Sequence, residues 1–176
     1  MNIVQTPLEG CLVIEPMLFK DNRGYFFESF NEEKFKKGIG IDLNFVQDNE
    51  AFSNKGIVRG LHFQKGKFAQ AKLVRVITGK VLDVAVDLRK NSQTYGQHFS
   101  IVLSGENKKQ LFVPRGFAHG YSVLENNTVF AYKCDNYYNK ESEGGIIYND
   151  KTLNIDWNLL DIEIKLSDKD MQLPNL

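Results

Sequence analysis

Short runs of β-branched and aromatic residues, each closed by a turn signal, follow one another along almost the whole chain. They span Cys11 to Glu15, Gly24 to Phe30, Phe45 to Phe52, Ile57 to Phe63, Ala71 to Ile77, Val81 to Asp87, His98 to Leu103, Gln110 to Val113, Gly120 to Leu124 and Val129 to Cys134. Runs of this length and composition read as strands. Many short strands with almost no helix constrain the chain to an antiparallel sandwich or barrel, and a jelly roll accommodates them best. Thr78-Gly79-Lys80 reads as a tight hairpin, because glycine supplies the positive φ such a turn needs. Asn31 to Lys37 is the one clear helical stretch, with Asn31 as N-cap, acidic residues in its first turn and Gly38 as the stop. A second, short helix is expected near Ser167 to Met171. The expected fold is all-β, a jelly-roll sandwich or barrel with a few short peripheral helices. No repeat or Pro/Ser-rich linker divides the sequence, so residues 1–176 read as a single domain.

Composition narrows the function classes. Lys+Arg and Asp+Glu both number 22, giving zero formal charge. A nucleic-acid or membrane-surface binder would show a basic excess. Local cations holding a small anionic ligand remain compatible with that balance. Cys11 and Cys134 form no spaced motif and no disulfide framework. Met1 to Pro7 lacks the apolar core of a signal peptide, and no run approaches the length of a membrane span. A soluble, reduced, cytoplasmic protein is the reading these features support.

Alternation along the strands selects residues out of pattern. Leu82, Val84 and Val86 share one face of their run, and Asp83, Ala85 and Asp87 the other. Lys72 falls on the same face as Val74 and Val76, where a lysine is costly unless it has a partner or a task. The chain has three histidines, and His62 stands in Arg59-Gly60-Leu61-His62-Phe63-Gln64 beside a guanidinium. Histidine takes up and returns a proton near neutral pH. Taken alone, His62 reads equally well as a hydrogen-bonded core residue; Lys72, His119 and Tyr132 in their own β-like runs favour a site. Arg59 and His62 have opposite parity, so a regular strand points them apart, and Gly60 between them is the place for a bulge. Tyr132 alone reads as a barrel-lining aromatic, Asp170 as a helix-end surface carboxylate, and His98 as structural or exposed.

Pro114-Arg115-Gly116-Phe117-Ala118-His119 resembles the second half of the cupin signature. The first half, which in metal-binding cupins carries a His-x-His pair and a glutamate, offers here only His62, and Lys72 stands near the glutamate position. Two imidazoles and a cation make a poor metal site, so the chemistry reads as acid–base, with no metal and no cofactor.

With these residues in place, the chain resembles the dTDP-4-dehydrorhamnose 3,5-epimerase family, metal-free enzymes of cupin fold. The resemblance runs from about Cys11 to Leu173. It is carried by Phe19-Lys20-Asp21-Asn22-Arg23-Gly24-Tyr25-Phe26-Phe27-Glu28, Gln47-Asp48-Asn49, Gly56-Ile57-Val58 with the His62 segment, and Gln70-Ala71-Lys72-Leu73-Val74-Arg75-Val76. It continues through Asp83-Val84-Ala85-Val86-Asp87-Leu88-Arg89, Pro114 to Gly120, Tyr132-Lys133-Cys134, Glu141-Ser142-Glu143 and Leu166-Ser167-Asp168-Lys169-Asp170. Glu50-Ala51-Phe52 departs from the family's histidine and basic residue there, and Gly144 replaces a common arginine.

The resemblance implies a reaction and a set of roles. His62 would be the general base, Asp170 its orienting partner, Tyr132 the acid on the opposite face, and Lys72 the cation against the sugar carbonyl. Arg23, Arg59 and His119 would contact the diphosphate or the sugar nearby. Glu28, Gln47, Asp48 and Asn49 would address the nucleoside, Tyr138 would stack on the base, and Glu143 and Lys169 match further ligand positions. The implied substrate is a dTDP-4-keto-6-deoxy sugar inverted at carbons 3 and 5. The implied assembly is a homodimer in which Arg23 and Glu28 complete the partner's site, without nucleic acid or membrane. A relative inverting carbon 3 alone or acting on another nucleotide sugar, and a noncatalytic sugar-nucleotide binding module on the same scaffold, are the alternatives.

Overall fold

A computed structural model describes residues 1–176 and bears out the all-β expectation. In chain order the elements are β1 (Asn2–Gln5), β2 (Leu12–Glu15), β3 (Phe19–Asp21), β4 (Gly24–Phe26), α1 (Glu32–Ile39), β5 (Gln47–Ser53), β6 (Val58–Gln64) and β7 (Lys72–Thr78). They continue with β8 (Lys80–Asp87), β9 (His98–Ser104), β10 (Gln110–Val113), β11 (Phe117–Val123), β12 (Thr128–Cys134), β13 (Glu143–Gly145) and α2 (Asp168–Met171). One sheet is ordered β1-β2-β10-β7-β12-β5 and the other β13-β6-β11-β8-β9, while β3 and β4 pair only with each other. From β5 onward the chain passes from sheet to sheet at almost every connection, which is the winding of a jelly roll. No helix is long and apolar enough to cross a membrane.

Period-2 alternation distributes the apolar side chains over three layers. Val74, Val76, Val81, Ala85 and Phe130 pack between the sheets. Leu82, Val84 and Val86, on the other face of β8, are covered by Ile146, Leu153, Trp157 and Leu159 from the C-terminal segment. Strand β8 is therefore buried on both faces. Outside the six-stranded sheet, Leu12, Ile14, Leu73 and Phe112 lie beneath Phe35 of α1.

Three sequence expectations are corrected. Thr78-Gly79-Lys80 is not a hairpin, because β7 and β8 lie in different sheets. Gly79, at φ +80°, turns a corner so close to Thr128 that a Cβ would sit 2.8 Å from its Cα. Helix α1 runs past Gly38 and ends at Gly40, whose φ is +71° and whose N–H donates to the Lys36 carbonyl. Gly38 serves packing, since a side chain there would collide with Ile3 of β1. The run Gly24 to Phe30 yields a strand only as far as Phe26, paired in a short hairpin with Phe19–Asp21. Asn31 does cap α1, its Oδ1 accepting from the Lys34 N–H at 3.0 Å.

The end of β8 is tied down by a buried carboxylate. Asp87 accepts from Arg89 Nε and Nη2, from Ser92 Oγ and from Thr94 Oγ1 at 2.6–2.9 Å. Burial opposes its ionisation, but the Arg89 and hydroxyl bonds outweigh that and hold it well below the usual carboxylate range. A depressed folded pKa contributes stability above the unfolded value of about 3.9, lost only as pH falls through the folded value. Asp87→Asn should cost about 2 kcal/mol in urea unfolding at pH 7. The deficit should shrink steadily below about pH 3.9. A variant as stable as the parent at pH 7 would show that the charge is irrelevant to the anchor.

Candidate active site

Strand β6 carries one residue too many for a regular ladder. His62 stands opposite His119 and Arg59 opposite Tyr121, three steps along β6 against two along β11. The extra residue restores parity, so Arg59 and His62 both face the space between the sheets. Gly60 makes this possible. Its φ is +114°, and a Cβ there would sit 2.6 Å from the Cα of Gly120.

The cavity so formed measures about 390 Å³ and is lined by Arg59, His62, Lys72, His119, Tyr132, Lys169 and Asp170 among others. A second lobe of about 270 Å³ shares His62, Lys72 and Tyr132 and adds Gln47, Asn49, Tyr138 and Glu143. A larger groove of about 510 Å³ lies on the outer face of the six-stranded sheet, but it contains no histidine and its Lys133 is paired to Asp48. Convergent titratable groups, rather than size, single out the inner cavity.

His62 Nε2 lies 2.7 Å from Asp170 Oδ1. Asp170 is brought there by α2, whose N-cap Ser167 accepts the Asp170 N–H, and its Oδ2 receives the Gly60 N–H at 3.4 Å. Burial works against the charge on Asp170, yet the bonds from His62, Gly60 and Ser167 hold its carboxyl below the ordinary value. An ionised Asp170 accepts a hydrogen bond from Nε2–H of a neutral imidazole, which leaves Nδ1 as the unprotonated nitrogen. The His62 side chain is 31% exposed and open to the cavity.

A second imidazole–carboxylate pair adjoins the first. His119 Nε2 contacts both oxygens of Asp83 at 2.9 and 3.0 Å, and both side chains are buried. In the sequence Asp83 has no role beyond its place in an alternating run and a matching motif; its inward parity beside Ala85 is the signal. Ser53, which accepts from Arg59 Nε and Nη2 at 3.2 Å, was likewise missed and carried no signal.

Lys72 and Tyr132 face these pairs from the opposite sheet. Lys72 Nζ lies 5.8 Å from the centre of the Tyr132 ring. Protein atoms surround its ammonium on most sides although part of the side chain stays open to the cavity. That burial lowers its pKa from the ordinary lysine value, with Cys134, Asp83 and Glu143 pulling the other way. Burial raises the Tyr132 hydroxyl above the ordinary tyrosine value, Arg59 pulling slightly the other way.

At the rim Glu143 joins two neighbours. It accepts from the Tyr138 hydroxyl at 3.0 Å and pairs with Lys169 Nζ at 2.5 Å. Gln47 and Asn49 bond to each other and enter the second lobe. Asp48 between them points to the outer face and binds Lys133 at 2.9 Å, as alternation requires. Arg23 and Glu28 line neither lobe. Arg23 pairs with Asp21 and Glu28 with Lys34, both in the open. No cluster of three or more His, Cys, Asp or Glu side chains is disposed to hold a metal ion.

Residues 5–176 match the family model for dTDP-4-dehydrorhamnose 3,5-epimerase. The enzyme of that name from Escherichia coli strain K12 is 50% identical over 157 residues, covering 89% of this chain and 85% of that protein. The crystal structure of the Elizabethkingia anophelis epimerase is 55% identical, covers 100% of this chain and 96% of its own, and superposes with a TM-score of 0.96. The Legionella pneumophila epimerase, solved in complex with dTDP-4-keto-L-rhamnose, is 47% identical with a TM-score of 0.95 and coverage of 99% and 92%. These neighbours are cupin-type jelly rolls, in agreement with the two-sheet winding.

Proposed function

This chain belongs to the dTDP-4-dehydrorhamnose 3,5-epimerase family and is an isomerase of the epimerase class; we propose that it converts dTDP-4-dehydro-6-deoxy-D-glucose to dTDP-4-dehydro-L-rhamnose by proton transfer between two opposed cavity walls. One observation carries the reading: a histidine on one sheet, paired with a carboxylate of α2, faces a tyrosine and an unpaired lysine on the other sheet.

His62 takes the proton from the carbon beside the ketone. The C–H electron pair becomes a double bond to the carbonyl carbon, and the carbonyl π pair moves onto oxygen, giving an enolate oxygen next to the Lys72 ammonium. A cation in a confined site is worth a few kcal/mol there. Tyr132 then gives its proton to the same carbon from the other side; the His62 imidazolium releases its proton to solvent and the tyrosinate takes one back. Inversion requires donors on both faces, because a lone base returns the proton to the side it came from. The burial that raises the Tyr132 pKa keeps the proton on until the enolate takes it. His62 is favoured over His119 as base because it is open to the cavity, whereas His119 is 6% exposed and held on both oxygens of Asp83. Arg59 and Arg23 supply cations for the diphosphate and sugar, and His119 lines the same space. Gln47, Asn49, Tyr138, Glu143 and Lys169 form the nucleoside end.

Arg23 and Glu28 enter the proposal through a homodimer, in which the β3–β4 hairpin reaches into the partner's cavity. Their exposure, and that of Phe19, Tyr25 and Phe26 beside them, supports this assignment. Two free, buried cysteines fit a reducing cytoplasm. Residues 1–176 act as one functional unit.

The deciding experiment is incubation with the 4-keto sugar nucleotide in deuterated water. Label should enter at carbons 3 and 5 with inversion at both. Label at carbon 3 alone would identify a single-centre epimerase, and binding with no label at all would leave a noncatalytic module. The pH profile probes Lys72 separately. Free lysine titrates near about pH 10.4, and burial lowers Lys72, so its ammonium is present below the lowered value and lost as pH rises through it. Activity should therefore fall on the alkaline side before about pH 10.4, while Tyr132 still holds its proton. Lys72→Arg, which stays charged, should move that limb upward. An unmoved limb would remove Lys72 as its source.

A further inference from the structure

The β3–β4 arm has no sheet to lean on. Its strands pair only with each other, and every residue in them is exposed. A lone hairpin of that size is marginal in water. Lys108 of the body meets it. This residue, in the turn between β9 and β10, is 7% exposed and places Nζ 4.7 Å from the centre of the Tyr25 ring and 6.0 Å from that of Phe27. The two rings lie 6.0 Å apart, so the cation sits against both.

The backbone under Lys108 is specialised for this. Its φ is +54°, uncommon outside glycine. Asn107 Oδ1 accepts from the N–H groups of Ser104 and Lys109, and the Lys108 N–H donates to the Ser104 carbonyl, which together impose that conformation. Neither cavity lobe includes Lys108. A buried lysine in a left-handed conformation, with aromatic rings in place of a carboxylate, is costly unless the contact has a use.

We propose that Lys108 is a positioning residue that clamps the arm through Tyr25 and Phe27, and so presents Arg23 and Glu28 in a fixed pose to the partner's cavity. Tyr25 stands two residues after Arg23, and Phe27 immediately precedes Glu28, so the clamp falls between the two ligand residues. The functional half rests on the composite-site reading above.

The test compares Lys108→Met, Lys108→Arg and Tyr25→Leu in the dimeric enzyme, with melting curves to establish folding. Trypsin cleavage at Lys20 and Arg23 reports the arm, and steady-state kinetics and dTDP titration report the site. Lys108→Met should speed cleavage about tenfold, and raise KM and the dTDP Kd by a similar factor, with kcat within about twofold of the parent. Lys108→Arg should restore parental behaviour, since a guanidinium also stacks on aromatic rings. Tyr25→Leu should resemble Lys108→Met and add little to it in the double variant. Parental cleavage and KM in a folded Lys108→Met protein overturn the proposal. Faster cleavage with parental KM would support the clamp and refute the composite site instead.

Discussion

His62→Ala is expected to abolish solvent deuterium exchange at both carbon 3 and carbon 5 of the sugar. A positioned general base contributes about 10²–10⁴-fold, and in the proposed mechanism one imidazole serves both carbons, so turnover should fall by the upper end of that range or more. The neighbouring His119 makes the experiment sharper, because it is a second imidazole with its own carboxylate. His119→Ala should weaken substrate binding more than exchange. Tyr132→Phe should separate the two proton transfers. Abstraction and return on the His62 side remain open to it, so it should exchange protons yet lose inversion. Asp170→Asn should fall between the two, because an amide at 2.7 Å from Nε2 can present its N–H and favour the wrong tautomer. Isotope incorporation read carbon by carbon distinguishes these outcomes. Rapid inversion by the His62→Ala protein would transfer the base role to His119.

Mixing two inactive chains should restore activity. In the proposed dimer, Arg23→Ala leaves its own cavity complete and removes a cation that the arm offers the partner; His62→Ala removes the proposed base and leaves its arm intact. A heterodimer of the two holds one cavity with both His62 and Arg23. Random exchange of equal amounts makes half of all dimers heterodimers, each with one of two sites intact, so recovery should approach about one quarter of parental activity. Each parent alone should sit about 10²-fold or more below the native enzyme. A mixture no more active than its parents, with subunit exchange proven by mass or label, would mean that each chain builds its own site. A monomer by light scattering would do the same. Pairing or covering the exposed arm across a two-fold axis also removes an open strand edge, which is a physical motive for the dimer.

Strand content was legible because local preference and period-2 alternation act over a few residues. The faces of β8, the inward direction of Lys72 with Val74 and Val76, the Asn31 cap and the short helix at Asp168–Met171 all follow from such short-range rules. The resemblance, carried by several ordered motifs, supplied the candidate site beyond what any one segment offered. Partnership was not legible. Gly79 has the chemistry of a hairpin turn, and only the competition for neighbours between sheets makes it a corner. Gly38 has the chemistry of a helix stop, and only the approach of Ile3 explains why it lies inside α1. The resemblance groups Asp48 with Gln47 and Asn49, and alternation sends it to the opposite face. The bulge at Gly60 was anticipated as a place, but the contact with Gly120 that demands it lies 60 residues further along the chain. His62 and Asp170 are 108 positions apart, and Asp83 and His119 are 36 apart. The sequence alone determined which residues could be strand, cap, base or cation, since those properties belong to each side chain and its immediate neighbours. Which of them meet was decided by tertiary structure, because hydrogen-bonded registers and close contacts between distant strands gain their energy only once both partners are in place.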